Sequence, residues 1–180
     1  FILLIYMVHY NLILMIIIVI ILIIAVTSKQ RNHFTNKKPK KVAICFFGLT
    51  RSLNYTLDSI KENIITPLEK LNINYDIILH TYNLDFIKSS RSGENTKLNT
   101  EEWKQLNPDY VKIDNQDVFD KSYDYEYVKS FGDAWNTNFE NTINVIRQFN
   151  SLKQVWKLAD SSKSKYDCYL FVVFKYLAYP

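Results

Sequence analysis

The sequence predicts an α/β domain built on a mostly parallel sheet, and three observations lead there. Near-continuous apolar runs recur at 41–47, 75–82 and 166–173, the pattern of strands covered on both faces. Between them, apolar residues return at three- and four-residue spacing, which marks amphipathic helices. Strand and helix alternate along the chain, as in a doubly wound, Rossmann-like sheet. Residues 41–180 suffice for one domain with its own core.

Each element has its own warrant. "KVAICFF" at 41–47 is the first strand, and "GLTRSLN" is the loop after it. Leu57, Ile60, Ile64, Leu68 and Leu71 then line one face of a helix. Pro67 lacks an N–H, so it kinks this helix or splits off its last turn. "YDIILHTY" at 75–82 is the second strand. Residues 83–99 form a surface loop with the polar tip "SSRSGENTK". "TEEWKQL" is a short helix capped by Thr100, with its acidic pair in the first turn, where the helix dipole favours them. "DYVKI" at 109–113 reads as a third, short strand, and residues 114–138 are rich in Tyr and Asp without an assigned element. A long helix spans 139–159 with the apolar stripe Phe139, Ile143, Ile146, Phe149, Leu152, Trp156 and Ala159. Arg147, Ser151, Gln154 and Lys157 point elsewhere. The last strand starts at Tyr166.

The amino-terminal region has a different character. From Leu12 to Val26 the chain is uninterrupted by polar residues, and Phe1 to Val8 is nearly as apolar. Roughly 20 apolar residues in a helix cross a bilayer core of about 30 Å. The reading is a single-pass membrane anchor over 1–28, a basic stalk over 29–40 and the α/β domain over 41–180. A secretory signal peptide is the alternative, but its apolar region is ordinarily about 7–15 residues. Lys29, Arg31, Lys37, Lys38, Lys40 and Lys41 all follow the run. By the positive-inside rule they favour a cytosolic domain, and they suit contact with lipid headgroups.

Charge and cysteine content exclude other classes. The chain carries 22 basic and 18 acidic residues, net +4. Without a clustered basic face, nucleic acid is not an expected partner. Cys45 and Cys168 both fall in strands, where they read as buried, small apolar residues and not as a disulfide framework or metal pair. The sequon at Asn54 sits at a helix start and reads as unused.

In open α/β sheets, ligands bind at the carboxyl ends of strands. That rule selects Gly48, Arg51 and Ser52 after the first strand, where a turn glycine leads into a helix whose free N–H groups suit an anion. It selects His80, with Thr81 and Tyr82, at the end of the second strand, as a structural or acceptor-side residue. At the end of the last strand the rule finds no acid after Asp167 to hold Mg²⁺ or Mn²⁺, which take hard oxygen ligands. Asp114 and Asp117 after the third strand, and Asp120, Asp124 and Glu126 beyond, are the remaining acidic groupings. Either set could bind a cation, or form a solvated polar loop.

Residues 41–83, with Gly48, Arg51 and Ser52, then Asn63 to Leu68, then Tyr75 to Thr81, resemble the opening of membrane-anchored glycosyltransferase-like proteins of giant DNA viruses and some bacteria and protists. Gln148, Phe149, Ser151 and Leu152 are similar to a Q-F-x-S-L stretch in the same proteins. The resemblance covers about 41–172. It implies the nucleotide-sugar-binding half of a GT-A-like fold, with a donor site at Gly48, Arg51, Ser52, Gln148 and Ser151. It also implies Mn²⁺ or Mg²⁺ on the donor diphosphate wherever donor binding survives, and, for a viral protein, a host-cell membrane. Where such proteins continue into a strand-end acidic motif, this chain reads "VVFKYLAYP". The expectation is a truncated, inactive relative. The alternatives are a membrane-anchored binding or scaffold protein without donor binding, an enzyme completed by a separate carboxyl-terminal half, and a remnant that never folds stably.

Overall fold

The computed structural model describes residues 39–51, 53–88, 93 and 95–174, all within the unit Pro39–Pro180. The expected anchor, nearly all of the stalk, Ser52 and residues 175–180 lie outside the described residues. Among those described, no helix is long and apolar enough to cross a membrane.

Strand β1, Lys41–Phe47, leads through a loop into helix α1, Leu53–Ile60. A π-helical turn, Lys61–Ile65, and helix α2, Thr66–Lys70, continue it. Here Pro67 has the effect expected of it. The helix widens just ahead of the proline, so that the Thr66 N–H donates to the Lys61 carbonyl five residues back. Strand β2 is Asn74–Asn83. The following segment, expected as plain loop, contains a short antiparallel hairpin, β3 Phe86–Lys88 and β4 Asn95–Lys97. A 3-10 turn, Glu102–Leu106, precedes β5, Tyr110–Asn115. The unassigned Tyr- and Asp-rich region resolves into α3, Gln116–Ser122, and α4, Tyr125–Lys129. Helix α5, Glu140–Asp160, then returns to β6, Cys168–Val173.

The main sheet has the order β5-β2-β1-β6, and every pairing is parallel. The predicted α/β, mostly parallel sheet is therefore present. From β1 the chain steps outward to β2 and β5, then crosses back to place β6 on the other side of β1. In sheets of this kind ligands bind at such a reversal, here the carboxyl ends of β1 and β6.

Two apolar layers hold the sheet. On one face Val42, Ile44 and Phe46 of β1 and Ile77 and Leu79 of β2 pack with Leu53, Ile60 and Leu106. On the other, Ala43, Cys45, Phe47 and Ile78 pack with Val155 and Ala159 of α5. Each fully buried large aliphatic or aromatic side chain contributes about 1.5–3 kcal/mol, so β1 and β2, apolar on both faces, anchor the domain. Burial pushes the Cys45 thiol up to about 12, in keeping with an inert apolar role.

Three expectations change. The inward stripe of α5 is rotated from the predicted one: Ser151, Val155 and Ala159 are buried, whereas Phe149 and Trp156 are exposed. Small residues at 151 and 159 let the helix settle close to the sheet. Trp156 is displaced sideways onto Tyr169 and Phe171 of β6. Cys168 is exposed because β6 is an edge strand, paired among the described strands with β1 alone. Finally, Thr100 does not cap the 3-10 turn: the N-cap position is Glu101, without a side-chain cap, and the Asn99 side chain accepts the Glu101 N–H just ahead of the turn. Glu101 pairs with Lys104 in the solvent, while Glu102 turns inward.

Candidate functional site at the carboxyl edge of the sheet

Gly48 ends β1 with φ +104°, a conformation that L side chains rarely adopt. Across the reversal, the Phe174 N–H donates to the Phe47 carbonyl at 3.0 Å, and the Phe174 ring stacks on Phe46 at 5.5 Å between centroids. Phe174 thus borders the Gly48 turn from the β6 side. Arg51 lies half-buried in the loop, and Thr50 before it is buried, its carbonyl accepting the Leu53 N–H that opens α1.

A chain of hydrogen bonds fixes this loop to the α5 face. The Gly48 N–H donates to Ser151 Oγ at 2.9 Å. Ser151 Oγ lies 2.6 Å from His80 Nδ1, and His80 Nε2 lies 3.1 Å from Asp114 Oδ2. Asp114 is a carboxylate and can only accept, so the proton sits on Nε2 and Nδ1 accepts from the Ser151 hydroxyl. The His80 carbonyl offers that hydroxyl a second acceptor at 3.3 Å. His80 is fully buried, and its burial, opposed by Asp114, holds its pKa below the ordinary histidine value. It is neutral at physiological pH. Four elements (the β1 loop, β2, β5 and α5) are therefore linked through Ser151 and His80.

The connectivity Ser151–His80–Asp114 is that of a nucleophile, base and orienting acid. Its environment is not. Ser151 has no exposed surface, and its oxygen already accepts the Gly48 N–H. No acyl group can reach it, so the three residues position the loop. Sequence reasoning named all three without seeing that they touch. The available signals are a histidine and an aspartate at strand ends; the predicted stripe turned Ser151 away from the core.

Next to this chain, Tyr82 packs edge-on against His80 at 5.3 Å between centroids. Its hydroxyl donates to the Arg147 carbonyl at 3.0 Å and accepts from Asn150 Nδ2 at 2.8 Å. Arg147 itself forms a two-point ion pair with Asp120, Nε to Oδ1 at 3.0 Å and Nη2 to Oδ2 at 2.5 Å. Tyr125 donates to Asp120 Oδ1 as well, at 2.7 Å, and burial beside that carboxylate raises its phenol pKa. These contacts bind α3 and α4 to α5. They commit Asp120, one of the acids a cation could have used.

On the opposite face, the first turn of α1 is not open to an outside anion. The Glu102 carboxylate accepts the Asn54 N–H at 2.9 Å. Glu102 is nearly fully buried; desolvation raises its pKa, and the Asn54 and Leu53 N–H groups oppose the rise. The sequence expectation of free N–H groups behind Gly48 and Arg51 is corrected here: a residue 48 positions away caps them. Glycine and arginine in the loop gave no hint of it.

The other expected residues separate. Gln148 is exposed on α5, apart from the Gly48–Ser151 contact. Asp117 is exposed in the first turn of α3. Asp114 is engaged by His80 and by Lys112, whose Nζ is 3.4 Å from Oδ2. Among the described residues, no group of three His, Cys, Asp or Glu could hold a metal ion. No protein-family model, no curated protein and no solved structure matches the chain.

Proposed function

We propose that the chain is a membrane-anchored, glycosyltransferase-like protein whose α/β domain does not turn over a nucleotide sugar. The observation that carries the reading is the order β5-β2-β1-β6, with the Gly48 and Arg51 loop standing at the reversal. Ligand crevices form at that position in sheets of this kind. Residues 41–172, which resemble the glycosyltransferase-like proteins, supply nearly all of its strands and its three crossovers. Lack of turnover is supported by the stretch "VVFKYLAYP", which carries no carboxylate where the glycosyltransferase-like proteins place a strand-end acidic motif. The membrane anchor rests on the apolar run Leu12 to Val26. The test is release of UDP or GDP from their sugars by the intact chain in detergent, with and without Mn²⁺. Release above the protein-free control overturns the reading.

A second reading, a binding or scaffold domain with no donor site, is favoured by one observation: the Glu102 carboxylate occupies the α1 terminus that a diphosphate would use. It predicts that UDP- and GDP-sugars leave the melting temperature of the chain unchanged. Retained donor binding would instead give a shift that Arg51→Ala abolishes.

A further inference from the structure

We propose that the first turn of α1 is an anion seat which the chain fills with its own Glu102 carboxylate, and that phosphate takes the seat when that carboxylate is removed. The inference concerns the seat alone and requires no sugar donor.

Two independent observations point to it. First, a buried carboxylate reaches the helix terminus from a distant 3-10 turn and accepts the Asn54 N–H at 2.9 Å. Backbone N–H groups at a helix start attract anions through both hydrogen bonding and the helix dipole. Glu102 is the anion here. Second, Thr81 Oγ1 is buried and has no hydrogen-bond partner among the described residues. Successive strand residues alternate between faces. Ile77 and Leu79 lie in the apolar layer with Leu53, so Thr81, the next residue in that alternation, is on the same face as α1. In register it stands one step beyond the His80–Phe47 pair, level with Gly48. A buried hydroxyl without a partner is costly, and at this place it is a spare donor for an oxoanion larger than a carboxylate.

The chemistry follows from the number of oxygens. A carboxylate has two and is held by its own side chain, whereas phosphate has four and can span the α1 N–H groups and the Thr81 hydroxyl. In the intact chain, Glu102 is an internal competitor. Any phosphate-bearing ligand entering this seat must push the 3-10 turn away from α1.

The experiment is thermal unfolding of the full chain in detergent, titrated with inorganic phosphate against sodium chloride of equal ionic strength. That control matches screening, and the general stabilisation by phosphate, which is not saturable, is removed by comparison with wild type in the same phosphate series. Wild type is expected to show no saturable response. Glu102→Ala should melt lower in chloride, by on the order of 5 °C, and recover most of that loss saturably in phosphate. Glu102→Gln, which still fills the seat, should not respond to phosphate. Adding Thr81→Val to Glu102→Ala should cut the recovery by half or more. Should Glu102→Ala fail to fold in chloride, refolding in phosphate alone supports the seat, and failure in both salts overturns it. Recovery no larger than in chloride, or a wild-type response as large as that of the variant, also overturns it.

Discussion

On the α5 face the loop after β1 is tied down by uncharged groups, Gly48 to Ser151 to His80, whereas on the α1 face a buried carboxylate, Glu102, caps the helix that follows the same loop. The first device is a relay in which the Ser151 hydroxyl and the His80 imidazole each both give and receive, so its strength depends on completeness. The second is a single anion against a helix dipole, so it depends on charge. Removing one link from the relay strands several buried groups; removing the carboxylate leaves backbone donors that water or another anion can reach. The same loop is thus held by two mechanisms with different sensitivities to pH and to anions.

The strongest way to break this contrast is Ser151→Ala. It leaves the Gly48 N–H and His80 Nδ1 without partners, at about 1–3 kcal/mol for each buried group. Denaturant unfolding should show a loss of about 2–4 kcal/mol. A loss below about 1 kcal/mol would mean that the relay is not what holds the loop.

Next in size is the response to acid. His80 has its folded pKa below the unfolded value of 6.5, chiefly through burial. Below pH 6.5 the unfolded chain binds a proton that the folded chain resists, so stability is full above that pH and declines as pH falls toward the folded value. The slope cannot exceed about 1.4 kcal/mol per pH unit for one proton. His80→Asn should flatten the profile between pH 6.5 and 5. Glu102 acts in the opposite sense, since its folded pKa is raised above 4.5. Comparing the two variants separates them, and an unchanged profile in His80→Asn would contradict the assignment.

On the α1 face, Glu102→Ala should cost about 1 kcal/mol in chloride, as loss of a helix cap does. The smallest effect belongs to Thr81→Val, which removes an unpaired hydroxyl at nearly constant shape. It should be neutral or slightly stabilising, within about 0.5 kcal/mol. A large loss would show that Thr81 has a partner after all.

How much of this was legible in the sequence differs between the same two faces. β1 was read with its boundaries intact because an apolar run bounded by Lys41 and Gly48 has no competing interpretation. The interruption of the helix at Pro67 was equally readable, since a missing N–H acts locally. Helix α5 was placed in the chain correctly, but its inward face was not. Hydrophobicity favoured Phe149 and Trp156, while close packing required Ser151 and Ala159. Glu102 looked like a first-turn acid of its own short helix, and nothing local could reveal that it caps a helix start 48 residues earlier. Long-range polar contacts have no periodicity to betray them. His80 and Asp114 are selected by position at strand ends and Ser151 by the family resemblance, yet their meeting depends on strand order, which residue patterns alone do not supply.

The most direct test of the proposed function is release of nucleotide diphosphate from UDP- and GDP-sugars by the intact, purified chain, with and without Mn²⁺, in a preparation that melts cooperatively. The expected result is no release above the protein-free control in either condition. Release that depends on the folded protein, and that Arg51→Ala abolishes, would contradict it and give the carboxyl edge of this sheet a catalytic role.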